Sequence, residues 1–276
     1  MDIVHLVILV AAGLGGGFVA GLFGVGGGII FAPVLFFYYQ QIGVSPEALA
    51  PLTIGSSLFC TMITAGASAW VQYGKRAVVS RVAVIVGLFS AAIVLIMTRW
   101  ITTRPWYDGE AFQIVFSIVL LALVVRMVVR FESEPEKDVF DPQRLGGGTL
   151  AGTGTAAGAI ASAAGVGGGV VLVPAYNHFL RLPMHIATGT SSATIVFISL
   201  AGILAYGWLG QGANTPELTL GYVDAIRGLF LAVPATFTAQ LGVRTAHRLN
   251  QRMLQLLFAA LAGIVALRLL WDVAAG

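Results

Sequence analysis

Glycines and small hydroxyl residues are the polar groups set deepest in this chain, and both kinds recur in two places. Gly24-Val25-Gly26-Gly27-Gly28 stands ahead of Pro33, and half a chain later Gly165-Val166-Gly167-Gly168-Gly169 stands ahead of Pro174. Glycine adopts positive φ without steric cost, so such a run lets successive backbone N–H groups converge into an anion-binding concavity. A helix beginning at the run adds the positive end of its dipole. Behind each run lies a hydroxyl cluster, Thr53, Ser56 and Ser57 in the first half and Thr188, Thr190, Ser191, Ser192 and Thr194 in the second. Hydroxyls donate to oxyanions without carrying charge, so they can bind an anion and still release it. Bonding back to the preceding helical turn, or across a helix pair, is the competing role for each.

The expected binding set is therefore Gly24, Gly26, Gly27, Gly28, Thr53, Ser56, Ser57, Gly165, Gly167, Gly168, Gly169, Thr190, Ser191 and Ser192, joined by Asn177 and Gln240. Asn177 and His178 follow Pro174, where the first half has Phe36 and Phe37; they line a mouth or sit at the membrane–water boundary. Gln240 follows Pro234 in an apolar helix, where its amide must find a partner, through helix packing or along a pathway. Arg227 lies three residues after Asp224, and Arg268 four before Asp272, so each pair shares a helix face. Structural pairing competes with function there, and Arg227 is the better candidate for drawing anions toward an outer mouth.

Catalytic chemistry finds no support. Asp2, Glu47, Asp108, Glu110, Glu217, Asp224 and Asp272 fall at segment ends or in loops, leaving no deep carboxylate as a proton relay. His5, His178, His185 and His247 are scattered without ligand spacing, so neither a metal nor a cofactor is expected. Cys60 is the single cysteine; it allows no internal disulfide and reads as a buried, inert thiol. Gln72, Arg181 and His185 read as interfacial, and Tyr73, Tyr206 and Trp208 as an aromatic belt.

The elements that must position these groups are membrane helices. The chain is 58% hydrophobic and 10% charged, with mean hydropathy +0.91, against about 25% charged for a soluble domain. Its net charge of +3 is spread thinly through loops, which suits a membrane orientation signal rather than nucleic acid. Apolar segments at 3–23, 29–39, 48–72, 78–100, 112–131, 145–164, 170–180, 186–209, 222–243 and 254–271 predict an all-α polytopic membrane protein. The first lacks a basic leader and runs into the glycine break, so it is expected in the mature protein. The pieces after each glycine run are too short to cross a core of about 30 Å and suit half-helices or the returning arm of a re-entrant hairpin.

The halves correspond beyond their glycines. Ile54-Gly55-Ser56-Ser57 answers Thr188-Gly189-Thr190-Ser191, and Tyr73-Gly74 answers Tyr206-Gly207. If each broken segment enters and returns, the halves are inverted, and every loop lysine and arginine except Arg99 and Arg104 falls on one side, Arg227 and Arg268 lying within apolar segments. Parallel halves would divide them almost evenly. The positive-inside rule therefore predicts two inverted repeats, 1–131 and 145–276, joined by a polar cytoplasmic linker at 132–144, with both termini periplasmic. Each repeat would carry one glycine-broken segment followed by three transmembrane helices.

This constellation resembles the TauE/SafE family of sulfite and organosulfonate exporters. The carrying residues are Gly24 to Gly28 through Pro33 and Gly165 to Gly169 through Pro174, with Ala187-Thr188-Gly189-Thr190-Ser191 behind the second. The resemblance spans nearly the whole chain and implies a carrier of small sulfur-containing anions in a bacterial inner membrane. Alternating access between two halves, driven by the membrane potential, is the expected mechanism. A carrier or pore for another small anion, such as a carboxylate, and a non-transporting assembly partner are the alternatives.

Overall fold

The computed structural model describes residues 3–102, 108–129, 146–164, 167–178, 180–213, 215–216 and 218–275; Gly165 and the linker at 132–144 lie outside them. Within these residues the chain is helical, with an isolated Leu220–Val223 bridge as its β pairing. The helices are α1 (Ile3–Phe23), α2 (Gly28–Gln41), α3 (Pro46–Gly74), α4 (Ser80–Thr102), α5 (Gly109–Val129), α6 (Gly147–Ala164), α7 (Gly169–His178), α8 (Met184–Leu209), α9 (Ala225–Ala246) and α10 (Gln251–Ala275). Among the described residues, α1, α3, α4, α8 and α9 contain stretches long and apolar enough to cross a bilayer. With 14 and 10 residues, α2 and α7 reach only about 21 and 15 Å at a helical rise of about 1.5 Å per residue.

The first glycine run turns the chain back on itself. The rings of His5 and Tyr38 meet at 5.3 Å, and Phe31 lies against Gly16, so α2 returns along α1 toward the end where α1 began. Left-handed backbone at Gly24, Gly26 and Gly27 makes this turn, and Gly167 and Gly168 are left-handed in the second. Only glycine occupies that region cheaply. The helices after the turns start alike: Gly27 O accepts from Ile30 N and Phe31 N, and Gly168 O accepts from Val171 N and Leu172 N.

Three seams of small residues hold the bundle. Gly13, Gly17 and Gly21 of α1 meet Leu231, Ala235 and Ala239 of α9 in the same order, so these helices run parallel. Gly154 and Gly158 of α6 lie on Val86 and Ser90 of α4, also in parallel. At the centre α3 and α8 run antiparallel: Gly55 faces Tyr206, Leu58 faces Gly202, and Gln72 faces Gly189. Without a hydrophobic drive between helices in lipid, such close approach supplies the packing. A Cβ on Gly21 would run into Ala239 O, a backbone atom that cannot step aside. Gly21→Val is accordingly expected to destabilise the detergent-solubilised protein by more than the roughly 1–3 kcal/mol of ordinary overpacking, read as an earlier thermal transition.

The two ends of the bundle differ in charge. Where α2 ends, Tyr38 meets Arg227, Phe36 stacks on Phe112 at 5.4 Å, and Gln113 Nε2 donates to Asp272 at 2.7 Å. Glu47, Asp108, Glu110, Asp224 and Asp272 share that end with Arg99, Arg227 and Arg268. At the other end Gln72 bonds His247, whose ring lies 6.2 Å from that of His185. Lys75, Arg76, Arg181, Arg244 and Arg248 lie on the segments that meet there.

Candidate functional site

The glycine joints converge. A Cβ built on Gly26 would lie 2.6 Å from Thr61 Cγ2 and 3.2 Å from Ile195 Cγ2. One built on Gly167 would meet the same two methyls at 2.8 and 3.0 Å, with Ser199 Oγ at 3.2 Å. Thr61 and Ile195 stand at equivalent places on α3 and α8, so each joint touches the same pair from its own side. The joints also touch directly, since a Cβ on Gly169 would fall 2.7 Å from Val25 Cα. Gly24 rests on the backbone of Thr188, while Gly28 opens α2 behind Gly27, whose position offers no side-chain cap. The first N–H groups of a helix have no partner within it, so α2 presents donors where its joint meets α3.

The expected hydroxyls divide into two groups. Thr53 and Ser191 are fully buried without a hydrogen-bond partner, as are Thr61, Ser68 and Ser199. The others have structural work. Ser56 Oγ accepts from Asp224 N at 2.9 Å, Thr190 Oγ1 accepts from Val79 N at 3.0 Å, and Ser192 and Thr194 bond back to Thr188 O and Thr190 O. Ser57 is buried on the turn before Thr61. Asn177 Nδ2 donates to Leu182 O at 3.0 Å and closes the turn after α7, of which His178 is the last residue. Gln240 is half-buried on α9 beside Ala239, away from the joint contacts given by Gly26 and Gly167.

Sequence reasoning overlooked Thr61, Ser68 and Ser199. Helical spacing held the signal: Thr53, Ser57 and Thr61 recur every fourth residue, and Ser199 lies two such steps beyond Ser191. It also misplaced two polar side chains. Tyr206, expected in the aromatic belt, is fully buried and its hydroxyl donates to Ser162 O at 2.8 Å, whereas Tyr73 and Trp208 are exposed. Gln72, expected at the interface, is fully buried at the end of α3. Asp224 does sit at a segment end, yet it is fully buried. Its Oδ1 accepts from Arg227 N at 3.0 Å and caps α9, its Oδ2 pairs with Arg227 Nη1 at 2.7 Å, and Arg227 Nε donates to Tyr38 OH at 3.0 Å. The carboxylate earns its burial through that pairing. Arg227 thus ties α2 to α9 at the acidic end, and Asp224 N links α9 to α3 through Ser56 Oγ. Cys60 is buried as expected, its thiol donating to Gly228 O.

This arrangement makes a helix-lined centre with neutral donors, flanked by two non-helical joints. The family described as sulfite exporter TauE/SafE matches residues 9–269. Among similar proteins, a probable membrane transporter protein of Methanocaldococcus jannaschii is 25% identical over 270 residues, covering 96% of this chain and 95% of its own. A probable membrane transporter protein of Haemophilus influenzae is 26% identical over 256 residues, 92% and 93% of the two chains. Probable membrane transporter protein YunE of Bacillus subtilis is 21% identical over 280 residues, 96% and 97% of the two. No solved structure matches the chain significantly. Its glycine joints, its helices and its match over nearly the full length make this multi-pass membrane transporter a member of the TauE/SafE sulfite exporter family.

Proposed function

We propose that the chain carries sulfite or a short organosulfonate out of the cell by alternating access, driven by the membrane potential. The observation behind this reading is the convergence of two left-handed glycine joints on Thr61 and Ile195, beside the unbonded, buried hydroxyls of Thr61 and Ser199. Each such hydroxyl costs about 1–3 kcal/mol, and a chain that retains several at one place has a use for donors there. The substrate class rests on the family's description. The donor set is neutral, which suits an ion that must also leave.

Inversion of the repeats is supported by the antiparallel pair α3 and α8, the equivalent long helices of the two halves, and by the matched parallel pairs α1–α9 and α6–α4. The charge difference between the ends supports a cytoplasmic basic end and periplasmic termini. The halves interleave, so alternating access moves units drawn from both. A potential of about 100 mV, negative inside, is worth roughly 2.3 kcal/mol per elementary charge, and it pushes an anion outward unaided.

Proteoliposomes with a valinomycin-set potential test the reading. Flux of sulfite or methanesulfonate should rise with the potential in the wild type. Thr61→Val and Ser199→Ala should each lower it about tenfold, the worth of one hydrogen bond near 1.4 kcal/mol, with thermal stability unchanged or raised. Flux indifferent to potential would remove the electrogenic mechanism, and variants that transport like the wild type would remove the central site.

A further inference from the structure

At the basic end lies a cavity of about 330 Å³ lined by Pro183, Met184, His185, Thr188, Ala246, His247 and Leu249. Thr188 joins it to the centre, because its backbone packs against Gly24 of the first joint. Two features give the cavity an anion's complement. The first turn of α8 opens into it behind Pro183, which offers no side-chain cap, so the positive end of a 26-residue helix faces it. Two histidines stand on its wall with rings 6.2 Å apart. Behind this wall, fully buried Gln72 accepts from His247 Nε2 at 2.9 Å through Oε1 and holds that ring in place. Gln72 also shares one face of α3 with Thr61 and Ser68, whose buried hydroxyls have no partner.

The geometry points to a receiving site for a small oxyanion at the basic end, formed by His185, His247 and the α8 N-terminus, which takes up a proton as the anion binds. This rests on the anion-carrier reading above and deepens it.

The charges around His247 set the direction of the coupling. Burial comes first, followed by Lys75 at the end of α3 and His185 on α8, and all three hold the His247 pKa below its ordinary value. On its own element Arg244 and Arg248 are also cationic, and α1, packed along α9, ends there on Leu22 and Phe23 without a titratable group. The neutral ring is therefore favoured while the cavity holds no ion. An anion reverses the balance by favouring the imidazolium, so binding strengthens as pH falls toward and below the ordinary histidine range. The hydrogen bond to Gln72 uses Nε2–H and leaves Nδ1 for the incoming proton.

Sulfate keeps its charge across this range and serves as the probe. Calorimetric titration of the full-length protein in detergent, in buffers of differing ionisation heat, should report proton uptake on binding. Affinity should rise about tenfold between about pH 7.5 and about pH 5.5. His247→Gln should abolish both the uptake and the pH dependence, and His185→Gln should reduce affinity at the lower pH, with thermal melts verifying the fold. Equal affinity at the two pH values, or proton uptake that persists in His247→Gln, would overturn the site. Thr61→Val separates the two readings: loss of flux with pH-linked sulfate binding intact supports both. Wild-type flux that fails while that binding persists refutes the carrier and leaves the receiving site standing.

Discussion

Gly26→Ala and Gly167→Ala are expected to lose transport and to destabilise the protein by about 2–5 kcal/mol each, for two separable reasons. The left-handed backbone, with φ of 75° and 65°, costs an L-residue about 1–2 kcal/mol. The new methyl would also stand 2.6 or 2.8 Å from Thr61 Cγ2, an overpacking of about 1–3 kcal/mol. Thr61→Ser removes that methyl and keeps the hydroxyl. Combined with either alanine, it should restore the packing share of the loss and leave the backbone share. Thermal unfolding of the single and double variants would read this as strong non-additivity, since the residues are in contact. Additive losses at both glycines would mean that the joints do not share Thr61.

The second large effect is expected at Asp224. Asp224→Ala removes the cap of α9 and leaves Arg227, with 21% side-chain exposure, beside an apolar gap. A cap is worth about 1 kcal/mol, and breaking a buried pair about 3–5 kcal/mol. Arg227 keeps partial solvent access and its bond to Tyr38, so a total of about 2–4 kcal/mol is expected. Asp224→Asn retains an acceptor for Arg227 N and should recover about 1 kcal/mol of this. Unfolding transitions of the two variants measure the order. An alanine variant as stable as the asparagine one would show that the cap contributes nothing.

The helices and both joints were legible because glycine and proline interrupt otherwise unbroken apolar runs, and backbone that lipid cannot satisfy must be built deliberately. Segment length alone does not give the hairpin sense of α1 and α2, which the His5–Tyr38 contact shows. Side-chain roles were harder to read. Ser56 reads as a donor for substrate, yet its oxygen is engaged by Asp224 N, 168 positions away. Tyr206 near a helix end reads as a belt residue until Ser162 is found within reach of its hydroxyl. Such partners belong to the packing of distant segments, whereas the glycine signal is local. Thr61 stands outside the Ser56-Ser57 pair, and only the four-residue step from Thr53 through Ser57 places it on their face.

The parallel seam between α1 and α9 bears on how the chain is made. Once α1 has left the ribosome, its mate follows only after some two hundred further residues have been synthesised. Until then the notched flank of Gly13, Gly17 and Gly21 faces lipid with nothing to grip it. The α1 seam therefore locks only when α9 arrives, and a nascent chain stalled before α9 is left exposed to quality control.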